Sequence, residues 1–263
     1  MSLWKKTLAS LGIGATKVDV SIKQSALYPG QSVDIQAHVY GGATEQVIEQ
    51  LSIRLCCQYW QDIDPNRDDP GSKVGKREAV TYTLAESHLP ESFSVASGEE
   101  KVFSLTLSLP WETPVTLSDA KVWLDTSLDI AYAVDPTNKA SITVRPDPVL
   151  DDVLSLFEEQ GFRIRQVECE AVDGLAAPFV EEFEFVPVDG PFHGVWRELE
   201  VAIHRNDQTM TLWMAIDRHR DGLRGMLASV LNRSETFPPL VLEVSASRAQ
   251  LKRALLSYLE SMD

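Results

Sequence analysis

The sequence has 263 residues, with 39 acidic against 24 basic side chains and a formal net charge of −15. Its length allows one or two domains, and a hydrophobic content of 44% excludes a largely disordered chain. The acidity disfavours nucleic acid and anionic lipid surfaces as partners. It either favours basic proteins as partners or only keeps the protein soluble.

Residues 3–13 open the chain with four apolar side chains that share one stripe of a helix: Leu3, Trp4, Leu8 and Leu11. Lys5 and Lys6 lie beside this stripe. One interpretation is an interfacial membrane anchor, and the other is a short arm folded onto the first domain. The arm is favoured, because two lysines and under four turns bind lipid weakly. The stretch is too short and too weakly apolar for a secretory signal, and no window of about 18 apolar residues follows it.

The three cysteines show no spacing typical of a disulfide framework: Cys56, Cys57 and Cys169. Such an odd, unpatterned set is typical of a reducing compartment. We therefore expect a cytoplasmic protein whose cysteines are small packing residues.

From Lys17 to Val144 the chain alternates apolar and polar residues with period two. Typical runs are Val33 to Val39 and Phe103 to Leu109, and turn signals such as Pro29-Gly30 and Gly41-Gly42 separate them. Each run predicts a half-buried antiparallel strand. Seven or eight such strands predict a β-sandwich.

The loop from Gln61 to Arg77 carries a series of oxygen ligands that resembles a calcium loop: Asp62, Asp64, Asn66 and Asp68. A calcium loop of the EF-hand type needs glycine at position 6 and glutamate at position 12, where this chain has Arg67 and Lys73. We therefore treat the series as a weak candidate for a divalent metal site, and a solvated loop is the favoured interpretation.

A break between the two halves follows at Arg145-Pro-Asp-Pro148, because two prolines in three residues cannot continue a strand ladder. Asp147 and Pro148 instead predict the start of a helix over Val149 to Gln160, which Gly161 would end. We place the domain boundary here, with an N-terminal sandwich over 1–145 and a C-terminal sandwich with helices over 146–263. The second part has 11 basic and 21 acidic residues, a net charge of −10.

The second half is again strand-like and ends in a helix over Ser247 to Ser261. Four apolar side chains form a stripe on this helix: Leu251, Leu255, Tyr258 and Leu259. The stripe could pack on its own domain or on another subunit. Contact with a partner, including a homodimer through this helix, is favoured, since a terminal amphipathic helix offers a self-complementary surface.

Five stretches, in order along the chain, resemble the bacterial sporulation-control protein family, the SpoOM family. They begin with Leu8 to Asp19, Tyr28-Pro-Gly-Gln31 with Gly41-Gly42, and Trp123 to Pro136. They continue with Gly161 to Glu170 and with Pro178 to Pro187, after which Gly190 to Phe192 and Glu198 to Glu200 follow.

This resemblance implies two β-sandwich domains in an arrestin-like arrangement, located in the cytoplasm, with no catalytic activity assigned. It also implies a link to the regulation of sporulation where the host sporulates. The expected fold class is mainly β, with a linker helix and a C-terminal amphipathic helix.

Motifs for catalysis and for cofactors are absent from the sequence. It contains no Gly-x-Ser-x-Gly, phosphate-binding loop or dinucleotide fingerprint, and the histidines and cysteines lack the spacing of zinc ligands. We therefore predict no cofactor and a non-enzymatic scaffold or adaptor that binds proteins. The alternative is a peripheral membrane adaptor that uses the N-terminal segment, and a third interpretation, an enzyme or a metal-dependent module, needs a polar pocket built from distant residues.

Overall fold

The computed structural model describes residues 15–63, 76–89, 91–131, 133–217 and 238–262. These residues form thirteen strands and two helices, so the predicted mainly β class is confirmed. The strands are β1 Lys17–Ile22, β2 Ser32–Tyr40, β3 Gln46–Ile63, β4 Lys76–His88, β5 Phe93–Val95, β6 Glu100–Ser108, β7 Val122–Ile130, β8 Thr137–Ser141, β9 Phe162–Ala171, β10 Phe179–Pro187, β11 Glu198–Arg205, β12 Thr209–Asp217 and β13 Leu240–Glu243. The helices are α1 Pro148–Glu159 and α2 Arg248–Ser261.

The chain divides into two compact units, each built from several stretches. The first takes in the described residues up to Cys57 and those within Thr83–Thr113 and Val122–Val144. The second takes in the described residues within Gln58–Tyr82, Pro114–Lys121 and those from Arg145 onward. Parts of β3 and β4 thus belong to the second unit, although they precede Arg145 in the sequence.

The first unit contains a three-stranded antiparallel sheet in the order β1-β2-β6. Along β2, side chains alternate as the sequence predicts, with Val33, Ile35, Ala37 and Val39 buried. In the same unit β3 pairs with β7, and β7 pairs with β8. Leu51, Ile53 and Leu55 of β3 and Leu124 and Leu128 of β7 are fully buried there.

The second unit contains the antiparallel strands β9-β10-β11-β12-β13 in that order. One face of these strands packs against both helices through a core rich in aromatic side chains. The ring of Phe157 in α1 stacks on Phe185 of β10, with centroids 4.6 Å apart. The sheet and the two helices therefore share one hydrophobic core.

The linker helix begins and ends at the residues that the sequence predicts. The side chain of Asp147 accepts hydrogen bonds from the backbone N–H groups of Val149 and Leu150, which caps α1. Gly161 ends the helix with φ +87°, a conformation that favours glycine.

The apolar stripe of the C-terminal helix does not make the predicted contact with a partner. Leu251, Leu255 and Leu259 are all buried in the core of the second unit, and Tyr258 packs against that core. The Tyr258 hydroxyl also donates a hydrogen bond to the carbonyl of Pro238 over 2.8 Å. The stripe therefore packs on its own unit, and its leucines are not a surface for a partner or for a second copy.

Candidate functional site

Three neighbouring strands of the second unit place six glutamates on the sheet face opposite the helices, which we call the acidic face: Glu168, Glu170, Glu182, Glu184, Glu198 and Glu200. The strand register sets Glu168 directly opposite Glu182, and Glu184 directly opposite Glu200. All except Glu170 are buried. Like charges directly opposite each other destabilise a sheet, so this arrangement needs compensation.

Two arginines supply part of that compensation. Arg77 of β4 donates a hydrogen bond to Glu168 over 3.1 Å and another to Glu170, and its guanidinium lies 5.2 Å from the centroid of the Trp60 ring. Arg165 donates from Nη2 to Glu184 over 2.5 Å and pairs with Glu198. Within the described part of the chain, Arg77 and Arg165 thus bring two positive charges to these carboxyl groups.

Protonation lowers the remaining charge of the acidic face. Burial raises the pKa of Glu170 to about 9, against the opposing effect of Arg77. Burial, with repulsion from Glu200, Glu184 and Glu168, raises the pKa of Glu182 to about 8. Because raised pKa values favour the protonated form, the acidic face carries less charge at neutral pH than its sequence indicates.

Glu182 is a buried member of the acidic face with an uncompensated carboxyl oxygen. Its side chain is 5% exposed, and its buried Oε2 has no hydrogen-bond partner among the described residues. A neutral carboxyl at this position is physically reasonable, since an ionised one would lose its hydration without gaining a donor.

The helix-facing side of the same sheet carries a buried ion-pair network. Arg205 donates from Nη1 to Asp147 over 2.7 Å and from Nη2 to Glu181 over 3.4 Å. Glu181 also accepts a hydrogen bond from the backbone N–H of Val115 over 2.7 Å. Burial raises the pKa of Glu181 to about 7, although Arg205 opposes the shift. The network joins β10, β11, the start of α1 and residues 114–121, so we interpret it as structural.

A cleft of about 200 Å³ lies at the end of the β9–β10 hairpin. It is lined by Tyr59, Gln61, Ala171, Val172, Asp173 and Pro178. The polar side chains of this lining are one carboxylate, one amide and one phenol, which can bind a polar group.

Only one of the four predicted metal ligands lies within the described residues. Asp62 lies near the end of β3 and is exposed, whereas Asp64, Asn66 and Asp68 lie outside the described residues. Within the described ranges, no group of three or more histidine, cysteine, aspartate or glutamate side chains is arranged to hold a metal ion.

The predicted N-terminal stripe, Leu3, Trp4, Leu8 and Leu11, also lies outside the described residues, so its two interpretations stay open. None of the helices that the structure describes is long and apolar enough to cross a membrane.

Neither the acidic face nor the Arg205 network can be predicted from any single segment of the sequence. The acidic face has a sequence signal, a glutamate at every second position in three successive strands, which places those side chains on one face of each strand. The Arg205 network has no local signal, since Arg205 lies 58 residues from Asp147.

Comparisons with known proteins agree with the fold. The sporulation-control protein spo0M of Bacillus subtilis (strain 168) is 33% identical over 237 residues, which cover 89% of this chain and 88% of that protein. The crystal structure of Spo0M, sporulation control protein, from Bacillus subtilis matches with a TM-score of 0.83 and 30% identity, over 95% of this chain and 100% of that chain. This match confirms the expected arrestin-like fold. A family model described as SpoOM protein matches residues 4–220, and the chain belongs to this family.

Proposed function

We propose that this protein is a non-enzymatic adaptor that acts in the cytoplasm by binding other proteins. Its relationship to a sporulation-control protein supports a regulatory role. We favour binding through open sheet edges. The observation that supports this mechanism is that β6 and β13 each pair with one strand only among the described residues.

Both strands leave one edge without a neighbouring strand in the part of the chain that the structure describes. There β6 pairs with β2 and β13 pairs with β12, and neither has a second partner strand. The free backbone N–H and C=O groups of such an edge can add a strand from another protein.

Each of these two edge strands carries an exposed aliphatic side chain. Val102 of β6 is 50% exposed and Val241 of β13 is 54% exposed. A partner strand would gain backbone hydrogen bonds from the edge and apolar contact from the valine beside it.

The partner that we favour is basic, because residues 146–263 carry a net charge of −10. Such a surface raises the association rate of a basic protein in a way that salt weakens. The raised pKa values of Glu170 and Glu182 reduce this effect without removing it.

The test is affinity capture from a bacterial extract with the whole chain and with V102K and V241K. Val195 is 57% exposed and lies outside the strands, so V195K is the matched control. We expect a defined set of proteins to bind the wild type and V195K, to be lost by one edge variant, and to dissociate at moderate salt. In complex with one of those proteins, amide exchange should slow along β6 or β13. Equal capture by all four chains, or unchanged exchange at both edges, would contradict the proposal.

A further inference from the structure

The outward face of the β1-β2-β6 sheet holds a line of three polar side chains, Ser21, His38 and Glu100. His38 lies on the central strand β2, between Ser21 of β1 and Glu100 of β6. Its Nε2 lies 3.4 Å from the Ser21 hydroxyl oxygen, and its Nδ1 lies 3.0 Å from Oε1 of Glu100. Each neighbour therefore contacts a different ring nitrogen.

The chemistry of these neighbours determines where the ring proton lies. An ionised carboxylate only accepts hydrogen bonds, so Glu100 requires a proton on Nδ1 of His38. In the neutral imidazole this leaves Nε2 with a lone pair, which faces the Ser21 hydroxyl. Ser21 then donates its hydrogen bond to His38, and His38 donates one to Glu100.

We propose that Ser21 is a nucleophilic hydroxyl that accepts an acyl group from an activated ester, with His38 as its general base and Glu100 as the residue that positions the ring. A hydroxyl within reach of a base, with that base oriented by a third group, is the arrangement that activates serine for covalent chemistry. The product is a protein acylated at Ser21, and nothing in the proposal requires turnover.

The step balances within these three residues and the ester. The Ser21 oxygen forms a bond to the acyl carbon, and its proton moves to Nε2 of His38. The bond between the acyl carbon and the alcohol oxygen of the ester then breaks. The proton passes from His38 to the departing oxygen, which regenerates neutral His38.

The surroundings favour a fixed ring and an accessible hydroxyl. His38 is half-buried and stacks on Tyr40, with ring centroids 6.3 Å apart and planes 16° apart, whereas Ser21 is exposed. A ring held by stacking and by Glu100 keeps Nε2 towards Ser21 without the entropy cost of ordering it during the reaction.

The same sheet face supplies a matched internal comparison. Ser32 and Ser108 are exposed at the other end of this face, and their hydroxyl oxygens lie 3.4 Å from each other. They share the strand environment of Ser21, and the hydrogen bonds of this pair involve no histidine.

The test treats the whole chain with p-nitrophenyl acetate and measures acetylation of each serine by peptide mass spectrometry. We expect Ser21 to be acetylated about tenfold or more faster than Ser32, a conservative share of what a positioned general base contributes. H38Q should reduce the rate at Ser21 to that of Ser32, and E100Q should reduce it partly while leaving Ser32 unchanged.

Two outcomes overturn the proposal. One is acetylation of Ser21 at the rate of Ser32 in the wild type, and the other is a rate at Ser21 that H38Q leaves unchanged. Because all three residues lie on a solvent-facing sheet surface, the variants are expected to fold, and their melting curves confirm that each comparison uses folded protein.

Discussion

Arg205 donates a hydrogen bond from Nη1 to Oδ2 of Asp147 across 2.7 Å, and both side chains are buried. Oδ1 of the same aspartate caps α1, so one carboxylate both starts the linker helix and holds the guanidinium. Through Nη2 the arginine also reaches Glu181, whose other oxygen holds the backbone of Val115. A single side chain thereby fixes three separate stretches of the second unit.

We expect R205M to destabilise the protein by about 3–5 kcal/mol, because it leaves Asp147 and Glu181 buried without their cation. Urea unfolding at neutral pH measures the effect. The triple variant R205M/D147N/E181Q, which removes all three charges, should recover part of the loss. A loss below about 1 kcal/mol for R205M would show that the two carboxyls do not depend on Arg205.

Glu182 makes stability depend on pH. Its pKa is about 8 in the folded chain, above the 4.5 of a free glutamate, so the folded state retains a proton that the unfolded state loses. The resulting stabilisation is complete below pH 4.5 and is lost as the pH rises through 8. We expect E182Q, which cannot ionise, to gain stability relative to the wild type across this interval, by at most about 1.4 kcal/mol per pH unit.

Chemical unfolding of both proteins at a series of pH values between 5 and 9 tests this. Glu49 is exposed on β3, so E49Q serves as the control and should leave the slope unchanged. Parallel curves for E182Q and the wild type would show that Glu182 is already ionised at neutral pH.

The sequence predicts best those features that depend on nearby residues. The alternation of Val33, Ile35, Ala37 and Val39 sets one buried strand face, and Asp147 with Gly161 sets both ends of α1, because caps and strand periodicity act within a few residues. The resemblance to a family adds the order of these elements over most of the chain.

Features that depend on register or on packing partners are not predictable in this way. The pattern of Leu251, Leu255 and Leu259 shows an apolar stripe, but it does not show what the stripe packs against. Glu168 and Glu182 become neighbours only through the β9–β10 register, and Arg205 meets Asp147 only in the folded unit. The opposite placement of glutamates in the acidic face and the contacts of the Arg205 network are therefore known only from the structure.

Gly161 and Gly174 separate the effect of backbone strain from that of steric clash. Both have φ +87°, but a Cβ at Gly161 would lie 2.0 Å from the carbonyl oxygen of Asp189, whereas a Cβ at Gly174 would have no atom within 4 Å. We expect G174A to cost about 1 kcal/mol from strain alone and G161A to cost clearly more. Thermal unfolding of both variants measures the difference, and equal losses would contradict the close approach of residue 189 to the end of α1.

Leu255 tests whether the C-terminal helix belongs to the core of its own unit. Because Leu255 is fully buried among core side chains, L255A should leave a cavity and destabilise the protein by about 2–5 kcal/mol. The adjacent Leu256 is only half-buried, so L256A should cost less and is the matched control. Urea unfolding gives both free energies, and light scattering of the folded variants gives their mass. If the stripe is core, the mass of L255A equals that of the wild type while its stability falls. A lower mass for L255A with stability near that of L256A would instead show that the leucine stripe joins two copies of the chain.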